Sequence, residues 1–270
     1  MADEISGDGR LSIAQRLTYL TSNFARNLRS ENLGPRRAFL SPRMQRTPAT
    51  ASPGRVLTEA FLCKSLPAWL PVGKVRVLEI GCGSGSLTRI LGELGYSGHY
   101  VGVDIGDRFD RRPQPGFEKS FVQADARQFG TKEIFDLVIS VSALEHIPDD
   151  IQLTPRLAGY VAPGGLQLHF VPSAWGLPVY LWHGYRQYTV SSIGERFDPR
   201  AVLIFSMGGG ASFLLHFLFI TLGELLLPLR LRQRLPGLYG RLLDWCLKLD
   251  RCAPVCATMH AVCVRSSNPR

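Results

Sequence analysis

The stretch Val77-Leu78-Glu79-Ile80-Gly81-Cys82-Gly83-Ser84-Gly85 decides the fold of this 270-residue chain. Apolar residues that favour β-strands surround one carboxylate, and glycine then occupies every second position. The next segment, Ser86-Leu87-Thr88-Arg89-Ile90-Leu91, has apolar residues at helical spacing. We therefore predict a buried strand, a tight glycine turn and a helix, in that order. Glycine accepts positive φ at little cost and, without a Cβ atom, lets a ligand lie against the backbone.

The spacing of the glycines separates this turn from other nucleotide-binding turns. The pattern is Gly-x-Gly-x-Gly, whereas the dinucleotide-binding turn is Gly-x-Gly-x-x-Gly and the P-loop contains Gly-Lys-Ser/Thr. Glu79 lies two residues before the first glycine and would repel a pyrophosphate group. A cationic or amine-bearing ligand suits this carboxylate better.

Further segments repeat the alternation of strand and helix after the glycine turn. One apolar strand ends at Asp104, about 20 residues past the glycines, where a ribose-binding acid is expected. A third, short strand ends at Asp125, a fourth runs through 134–141, and the turn Pro163-Gly164-Gly165 comes before the fifth strand of the core. This alternation predicts a parallel sheet, and ligands of such open sheets bind at the carboxyl ends of the strands.

Together these motifs resemble the class I S-adenosylmethionine-dependent methyltransferases of the type 11-like small-molecule and lipid group, most closely over residues 72–172. The resemblance implies a Rossmann-like, doubly wound α/β sheet of seven strands, mostly parallel with the last strand antiparallel. It also implies S-adenosylmethionine as the cofactor, with Glu79 near its amino-acid end, Asp104 near the ribose and Asp125 near the adenine. The expected cofactor-binding residues are Glu79, Gly81, Cys82, Gly83, Gly85, Asp104, Ile105, Asp125, Ala126 and Ser140.

The candidate catalytic residues are His146, in a segment that resembles the family's fourth motif, and His183. A base helps if the acceptor is a hydroxyl, whereas a carboxylate acceptor needs none. Tyr185, Arg186 and Tyr188 lie in an aromatic stretch past the fifth strand, where residues commonly shape a substrate pocket. We predict that they contact the substrate; the alternative is that the aromatic side chains of this stretch simply pack over the sheet. No metal site is predicted.

The pattern divides the chain into a polar N-terminal extension, residues 1–54, and a methyltransferase domain, residues 55–270. The resemblance suggests that the extension covers the cofactor cleft as a lid. The domain comprises the cofactor-binding core 72–172, an aromatic substrate region 173–200 and an apolar helical insertion 207–253. The insertion falls between the predicted sixth and seventh strands, with the seventh inserted antiparallel.

The segment 213–229 of this insertion is nearly apolar all round, and Arg230, Arg232 and Arg234 follow it. It falls short of the about 20 apolar residues that a membrane span requires, and a span would pull apart two strands of one sheet. Two interpretations remain: an oligomer or core element, or a helix that dips into a membrane face while arginines bind anionic head groups. We favour peripheral membrane contact through 213–234.

Composition narrows the choice of function. The formal net charge is +9, which suggests an acidic partner, and the six cysteines form no C-x-x-C pair, which predicts reduced thiols in the cytoplasm. No secretory signal begins the sequence, so the expected location is cytoplasmic, at the inner face of the membrane if it is membrane-bound. The leading hypothesis is methyl transfer to a hydroxyl or carboxylate oxygen of a small-molecule, lipid-linked or glycan acceptor.

Two alternatives stay open. The positive charge suggests a nucleic-acid (RNA) methyltransferase, but enzymes that methylate base amino groups resemble Asn/Asp-Pro-Pro-Tyr/Phe where this chain has Ser140-Val141-Ser142-Ala143. Nucleic acid is therefore an unfavoured partner. The second alternative is a catalytically silent subunit that binds the cofactor and serves in assembly.

Overall fold

An eight-stranded sheet forms the centre of the computed structural model, which describes residues 5–28, 35–38, 47–252 and 255–266. The strands are β1 (Arg36–Arg37), β2 (Lys74–Ile80), β3 (Ser97–Asp104), β4 (Phe117–Gln123), β5 (Phe135–Val141), β6 (Val161–Pro172), β7 (Val202–Met207) and β8 (Met259–Arg265). The helices are α1 (Ile13–Asn27), α2 (Pro53–Trp69), α3 (Leu87–Glu93), α4 (Asp150–Ala158), α5 (Gly176–Tyr180), α6 (Val190–Gly194), α7 (Gly210–His216), α8 (Leu231–Arg234) and α9 (Pro236–Leu249). A 3-10 turn (Leu144–His146) follows β5, and a π-helix (Phe217–Leu226) continues α7.

The strand order is β1-β7-β8-β6-β5-β2-β3-β4. Every neighbouring pair is parallel except those of β8, which runs antiparallel to both β6 and β7. The predicted doubly wound, mostly parallel sheet with an inserted antiparallel strand is thus confirmed. The chain leaves β2 for β3 on one side and later returns with β5 on the other, so the sheet reverses its winding between β2 and β5. Ligands of open α/β sheets bind beside such a reversal.

The sheet has eight strands rather than the seven expected. The additional strand is β1, a two-residue segment of the N-terminal extension that pairs with the free edge of β7, Arg36 opposite Phe205. Two arginines carry no strand pattern, and the exposed edge of β7 supplies the backbone pairing that makes them a strand. Strand pairing of this kind depends on tertiary context and not on local propensity.

A hydrophobic cluster covers each face of the sheet. Alternate residues of β2 divide between them, with Val75 and Val77 in one cluster and Leu78 and Ile80 in the other. The first cluster also contains residues of α2, α3 and α9, and the second contains residues of α4 and α6. Each large apolar side chain buried in this way contributes about 1.5–3 kcal/mol relative to its exposed state. The two layers hold the carboxyl edge of the sheet in place for the site.

A buried ionic network fixes the segment that follows β6. The Asp150 carboxylate accepts hydrogen bonds from Arg186 Nη1 at 2.7 Å, from Arg196 Nε at 2.6 Å and from the Tyr188 hydroxyl at 2.7 Å. Arg186 also donates to the backbone carbonyls of Ile147 and Pro148.

The polar tips of Arg186 and Tyr188, which the sequence suggests as substrate contacts, are therefore engaged within the fold. The alternative, that side chains of this stretch pack over the sheet, describes these two better. Tyr185 is half-buried beside the Arg186 guanidinium, which lies 5.7 Å from its ring centroid.

Replacing Asp150 by Asn should lower the free energy of unfolding by about 3–5 kcal/mol, because two buried arginines lose their counter-charge. Asp149 is the matched control. Its side chain is 59% exposed, it lies 3.6 Å from Arg127 and it makes no capping hydrogen bond, so Asp149→Asn should cost less than about 1 kcal/mol. Urea titration followed by circular dichroism measures both. Equal losses in the two variants would contradict a structural role for the network.

Candidate functional site

The glycine turn after β2 has the conformation that its sequence predicts. Gly81, Gly83 and Gly85 have φ values of +70°, +51° and +76°, in the left-handed region that favours glycine. A Cβ atom on Gly81 would collide with the Ala143 side chain, whereas one on Gly83 would meet nothing within 4 Å. Gly81 is therefore required for close packing, and Gly83 leaves open space beside the backbone.

A cavity of about 390 Å³ opens beside this turn. The glycine turn and Glu79 form one wall, and the residues that follow β5 contribute Val141 and Ser142. The opposite wall consists of the first turns of α2 with Tyr180 from α5. The cavity thus lies at the carboxyl ends of β2 and β5, beside the reversal of the sheet.

Glu79 is buried in the cavity wall and accepts a hydrogen bond from the Tyr100 hydroxyl. Burial raises the pKa of this carboxyl to about 8; the Tyr100 hydrogen bond opposes the rise, and the charge of Asp104 adds to it. At neutral pH the group therefore holds its proton for lack of a positive neighbour. A ligand ammonium group in the cavity would favour the ionised form.

Asp104 ends β3 next to the glycine turn. Its Oδ2 accepts the Gly83 N–H at 2.7 Å and its Oδ1 accepts the Gly106 N–H at 2.8 Å. Each carboxylate oxygen keeps a further lone pair for a ligand hydroxyl. Ile105 follows with 76% of its surface exposed, which leaves an apolar side chain free at the same edge.

Six of the ten predicted cofactor-binding residues do not line the cavity: Gly85, Asp104, Ile105, Asp125, Ala126 and Ser140. Asp125 binds Arg127, with 2.7 Å between Oδ2 and Nη2, and this hydrogen bond lowers the pKa of Asp125. Ala126 packs against one of the two hydrophobic clusters. Ser140 is fully buried, and its Oγ lies 2.8 Å from His169 Nδ1. The residues after Ser140 line the cavity in its place.

The two predicted catalytic histidines lie together. The ring centroids of His146 and His183 are 4.6 Å apart and edge to face. Asp8 from the N-terminal extension bridges them: its Oδ2 lies 2.7 Å from His146 Nδ1 and its Oδ1 lies 3.7 Å from His183 Nδ1. With Glu145, which precedes His146, these residues form what we call the histidine cluster: Asp8, Glu145, His146 and His183.

Glu145 is the most buried member of the histidine cluster. Its Oε1 lies 3.8 Å from His183 Nε2, and neither carboxylate oxygen has a hydrogen-bond partner within the described part of the chain. Burial raises the pKa of Glu145 to about 7, with the charge of His146 opposing the rise.

The pKa values of the other three members diverge. For His183, burial and the neighbouring His146 lower the pKa despite the pull of Asp8. For His146, burial opposes the charge, but the hydrogen bond and charge of Asp8, with the charge of Glu145, raise the pKa. Burial likewise opposes the charge of Asp8, yet His146 and the Gly184 N–H outweigh it and lower the pKa to about 2.

Tyr180 stands between the cavity and the histidine cluster. Its ring lines the cavity, and its centroid lies 5.5 Å from that of His183 and 4.8 Å from that of His216. The N-terminal extension covers the cluster from outside, because Gly7 N–H donates to the Gly184 carbonyl at 2.6 Å and the Tyr19 hydroxyl to the His183 carbonyl at 2.8 Å. The cavity and the histidine cluster thus lie on two sides of one aromatic side chain.

Sequence reasoning missed Asp8, Glu145, Tyr180 and Arg55, the last of which lines the cavity from α2. Asp8 is separated from His146 by 138 positions, and no spacing rule connects them. Glu145 could have been found from the sequence, because it directly precedes His146 in the same motif.

Comparison with known proteins identifies the family of this chain. The sequence profile of the family described as "Methyltransferase domain" matches residues 24–198, more than half of the chain. The chain belongs to this family. The resemblance to class I S-adenosylmethionine-dependent methyltransferases is thereby confirmed, together with S-adenosylmethionine as the cofactor of the fold.

Two curated relatives of this methyltransferase-domain chain match it over less than half of its length. Trans-aconitate 2-methyltransferase from Variovorax paradoxus is 35% identical over 96 residues, which are 34% of this chain and 36% of the relative. The protein of that name from Streptomyces avermitilis is 28% identical over 116 residues, 40% and 43% of the two chains. The chain thus spans about two fifths of the length of these curated relatives. The solved structure of the [4+2]-cyclase SpnF has a TM-score of 0.54 at 15% identity, with 94% and 93% of the two chains covered, which shows the shared fold alone.

Glu79 should make stability depend on pH. Its folded pKa of about 8 lies above its ordinary value of 4.5, so between these values the folded state keeps a proton that the unfolded state has lost. The free energy of unfolding contributed by this group therefore falls as pH rises through that window. Glu79→Gln should flatten this fall, whereas Glu118→Gln, whose side chain is 85% exposed, should not. Urea titrations between about pH 5 and about pH 8 test this; identical profiles for both variants would refute the buried carboxyl.

Proposed function

We propose that the chain transfers a methyl group from S-adenosylmethionine to an oxygen of a small-molecule acceptor, a carboxylate or a hydroxyl. One observation carries the proposal: the cavity at the glycine turn meets the histidine cluster at Tyr180. A donor and an acceptor held on the two sides of this point would lie next to each other.

In this proposal the cavity holds the amino-acid end of the cofactor. Glu79 faces its ammonium group, Gly81, Cys82, Gly83 and Gly85 let it approach the backbone, and Asp104 accepts hydrogen bonds from the ribose. Asp125 and Ala126 are the residues predicted at the adenine, and Ser140 and Ile105 are predicted cofactor contacts without an assigned part of the ligand. Of these four, Ile105 is the best placed for the adenine, because its side chain is open to a flat ring. The bound cofactor supplies an electrophilic methyl group on a sulfonium.

The protein then aligns the acceptor with the methyl group, excludes water from the site and, where required, supplies a proton acceptor. Methyl transfer needs the acceptor oxygen in line with the bond that breaks, so orientation accounts for much of the rate. The N-terminal extension excludes water by lying over the histidine cluster, in the manner of the predicted lid. A hydroxyl acceptor would give its proton to His183 or His146, whereas a carboxylate acceptor would need neither.

The name of the curated relatives favours a carboxylate-bearing acceptor. A second candidate, a small amine, is favoured by Asp8 and Glu145, whose negative charges attract a cation. Tyr185, Arg186 and Tyr188 remain predicted substrate contacts. Because Arg186 and Tyr188 are hydrogen-bonded to Asp150, Tyr185 has the most freedom to contact a substrate.

Incubation with methyl-labelled S-adenosylmethionine distinguishes these acceptors. Small di- and tricarboxylates, hydroxylated compounds, small amines and RNA serve as separate acceptor pools. Carboxyl methyl esters release volatile methanol in alkali, whereas O-methyl ethers and N-methyl products do not. We expect label in the carboxylate or hydroxyl pool. Label in RNA alone, or in none of the pools, would contradict the proposal.

Glu79→Gln should weaken binding of the cofactor by about tenfold or more, because the charged partner of its ammonium group is lost, a difference of about 1.4 kcal/mol. Calorimetric titration in two buffers of different ionisation heat should also show proton release on binding at neutral pH, since Glu79 becomes ionised. Glu118→Gln should behave like the unaltered protein. Unchanged affinity in Glu79→Gln would remove this residue from the site.

We also propose that the helical insertion rests on an anionic membrane surface. Ten exposed positions between residues 225 and 245, on both sides of α8, are apolar or lack a polar side chain: Leu225, Leu226, Leu227, Pro228, Leu229, Leu235, Pro236, Gly237, Leu238 and Trp245. The exposed arginines Arg230, Arg234 and Arg241 border them. No helix in the described part of the chain is long and apolar enough to cross a bilayer. Leucines beside arginines suit shallow insertion with head-group contact, and a lipid-linked acceptor would then be within reach.

Sedimentation with anionic phosphatidylserine vesicles tests this surface. The unaltered protein should pellet with the vesicles, and the double variant Leu226→Ser, Leu229→Ser should lose most of this binding, because apolar area no longer enters the lipid. Val72→Ser with Ile134→Ser is the matched control, because these exposed residues lie outside the insertion. Equal recovery of all three proteins in the supernatant would refute the membrane contact. Self-association of the unaltered protein in the absence of lipid, abolished in the double leucine variant, would also refute it.

A further inference from the structure

The histidine cluster contains two carboxyl groups, and one of them is buried without a hydrogen-bond partner among the described residues. Glu145 is almost completely buried and neither of its carboxylate oxygens has a hydrogen-bond partner within the described residues. Asp8 adds a second carboxylate on the other side of His183. Burying a carboxylate without a partner is costly, so such groups usually neighbour a cation.

The ligand atoms of the cluster already converge. One ligand atom each from Asp8, His146 and His183 lies within 4.8 Å of the other two, and no other such group of three is found among the described residues. Both imidazoles turn Nδ1 toward the Asp8 carboxylate, at 2.7 Å for His146 and 3.7 Å for His183. Two imidazoles with one carboxylate form a donor set that Zn²⁺ and other divalent transition metals bind well.

Glu145 supplies the independent observation. Nε2 of His183, the nitrogen that does not face Asp8, lies 3.8 Å from Glu145 Oε1. A histidine that binds a metal through one nitrogen usually donates its other N–H to a carboxylate, which fixes the tautomer and raises the basicity of the ligand. The unpartnered, buried Glu145 is in the position of that carboxylate.

The backbone holds the third ligand in place. Gly184 N–H donates to Asp8 Oδ1 at 3.2 Å, and Gly7 N–H donates to the Gly184 carbonyl at 2.6 Å. Gly7 and Gly184 must be glycine here, because a Cβ atom on Gly7 would collide with the backbone at His183 and one on Gly184 with that of Glu145. The extension is thus built to place Asp8 opposite the two histidines.

We propose that Asp8, His146 and His183 bind one divalent transition-metal ion such as Zn²⁺, with Glu145 as the carboxylate that positions His183. The ion makes the cluster neutral, since its two charges balance Asp8 and Glu145. Three protein ligands leave a position for an outside oxygen. If the proposed function holds, that oxygen would belong to the acceptor. A carboxylate would bind as it is, whereas a hydroxyl would release its proton to solvent and the ion would stabilise the resulting anion.

Metal titration without the cofactor tests the site separately from methyl transfer. Full-length protein without an affinity tag is stripped with a chelator and titrated with Zn²⁺ by calorimetry and with Co²⁺ by visible absorption. We expect one ion per chain. Asp8→Asn, His146→Ala and His183→Ala should each weaken binding by about 100-fold or more, and Glu145→Gln by about 10–100-fold. His99→Ala is the control, because His99 is also near an acid, Glu118 at 4.0 Å, outside the cluster.

A second measurement covers variants with altered folding. The ion should tie Asp8 to the two histidines and so slow tryptic cleavage at the exposed Arg10. This metal-dependent protection should vanish in Asp8→Asn, measured against the metal-free cleavage rate of the same variant, so that loss of the ion pair with His146 is not counted as loss of metal binding. Absence of Zn²⁺ and Co²⁺ binding by the unaltered protein, or equal binding by the ligand variants, would overturn the proposal and leave the cluster as an ion pair only.

Discussion

The hydrogen bonds that join the glycine turn to β3 are the constraint on which the site depends. The Val103 carbonyl accepts from Gly81 N–H at 2.8 Å and from Cys82 N–H at 3.2 Å, and Asp104 accepts from Gly83 N–H. These bonds hold three successive turn residues against the neighbouring strand, in a conformation that requires positive φ. The open side of the turn then faces α2 and Tyr180, and Glu79 becomes part of the wall. Without this attachment, the carboxyl ends of β2 and β3 would not share one edge with fixed geometry.

Two buried carboxyls define the electrostatics on either side of Tyr180. Glu79 and Glu145 both have raised pKa values, in each case mainly because burial penalises their negative charge. Each therefore favours a positively charged neighbour, and each lies where the proposals place one: the cofactor ammonium beside Glu79 and a metal ion beside His183. Burial of a carboxyl group thus has the same effect on both sides of Tyr180.

The glycine turn and the mostly parallel sheet could be predicted from sequence because their signals are local. A strand, three spaced glycines and acids near the ends of the next two strands are short-range patterns, and the alternation of strand and helix indicates parallel pairing. The remaining contacts of the site could not be predicted because they join distant segments. Asp8 reaches His146 only after the extension folds over the sheet, and Arg186 and Tyr188 turn toward Asp150, 36 and 38 positions away. Polar tips in an aromatic stretch look alike in sequence whether they bind a substrate or a buried acid.

The register of the last two strands has a consequence for how this chain can diversify. Met207 and Met259 are direct partners at the ends of β7 and β8, so everything between them departs from and rejoins the sheet at a single point. Segments attached in that way tolerate replacement and changes of length, because the backbone on both sides keeps its pairing. Thr221 of this segment donates to the Val179 carbonyl in the helix that carries Tyr180, so an exchanged segment would reshape the side of Tyr180 on which the acceptor is proposed to bind. New substrate preferences could thus arise by grafting at one joint, with the nucleoside-binding half inherited unchanged.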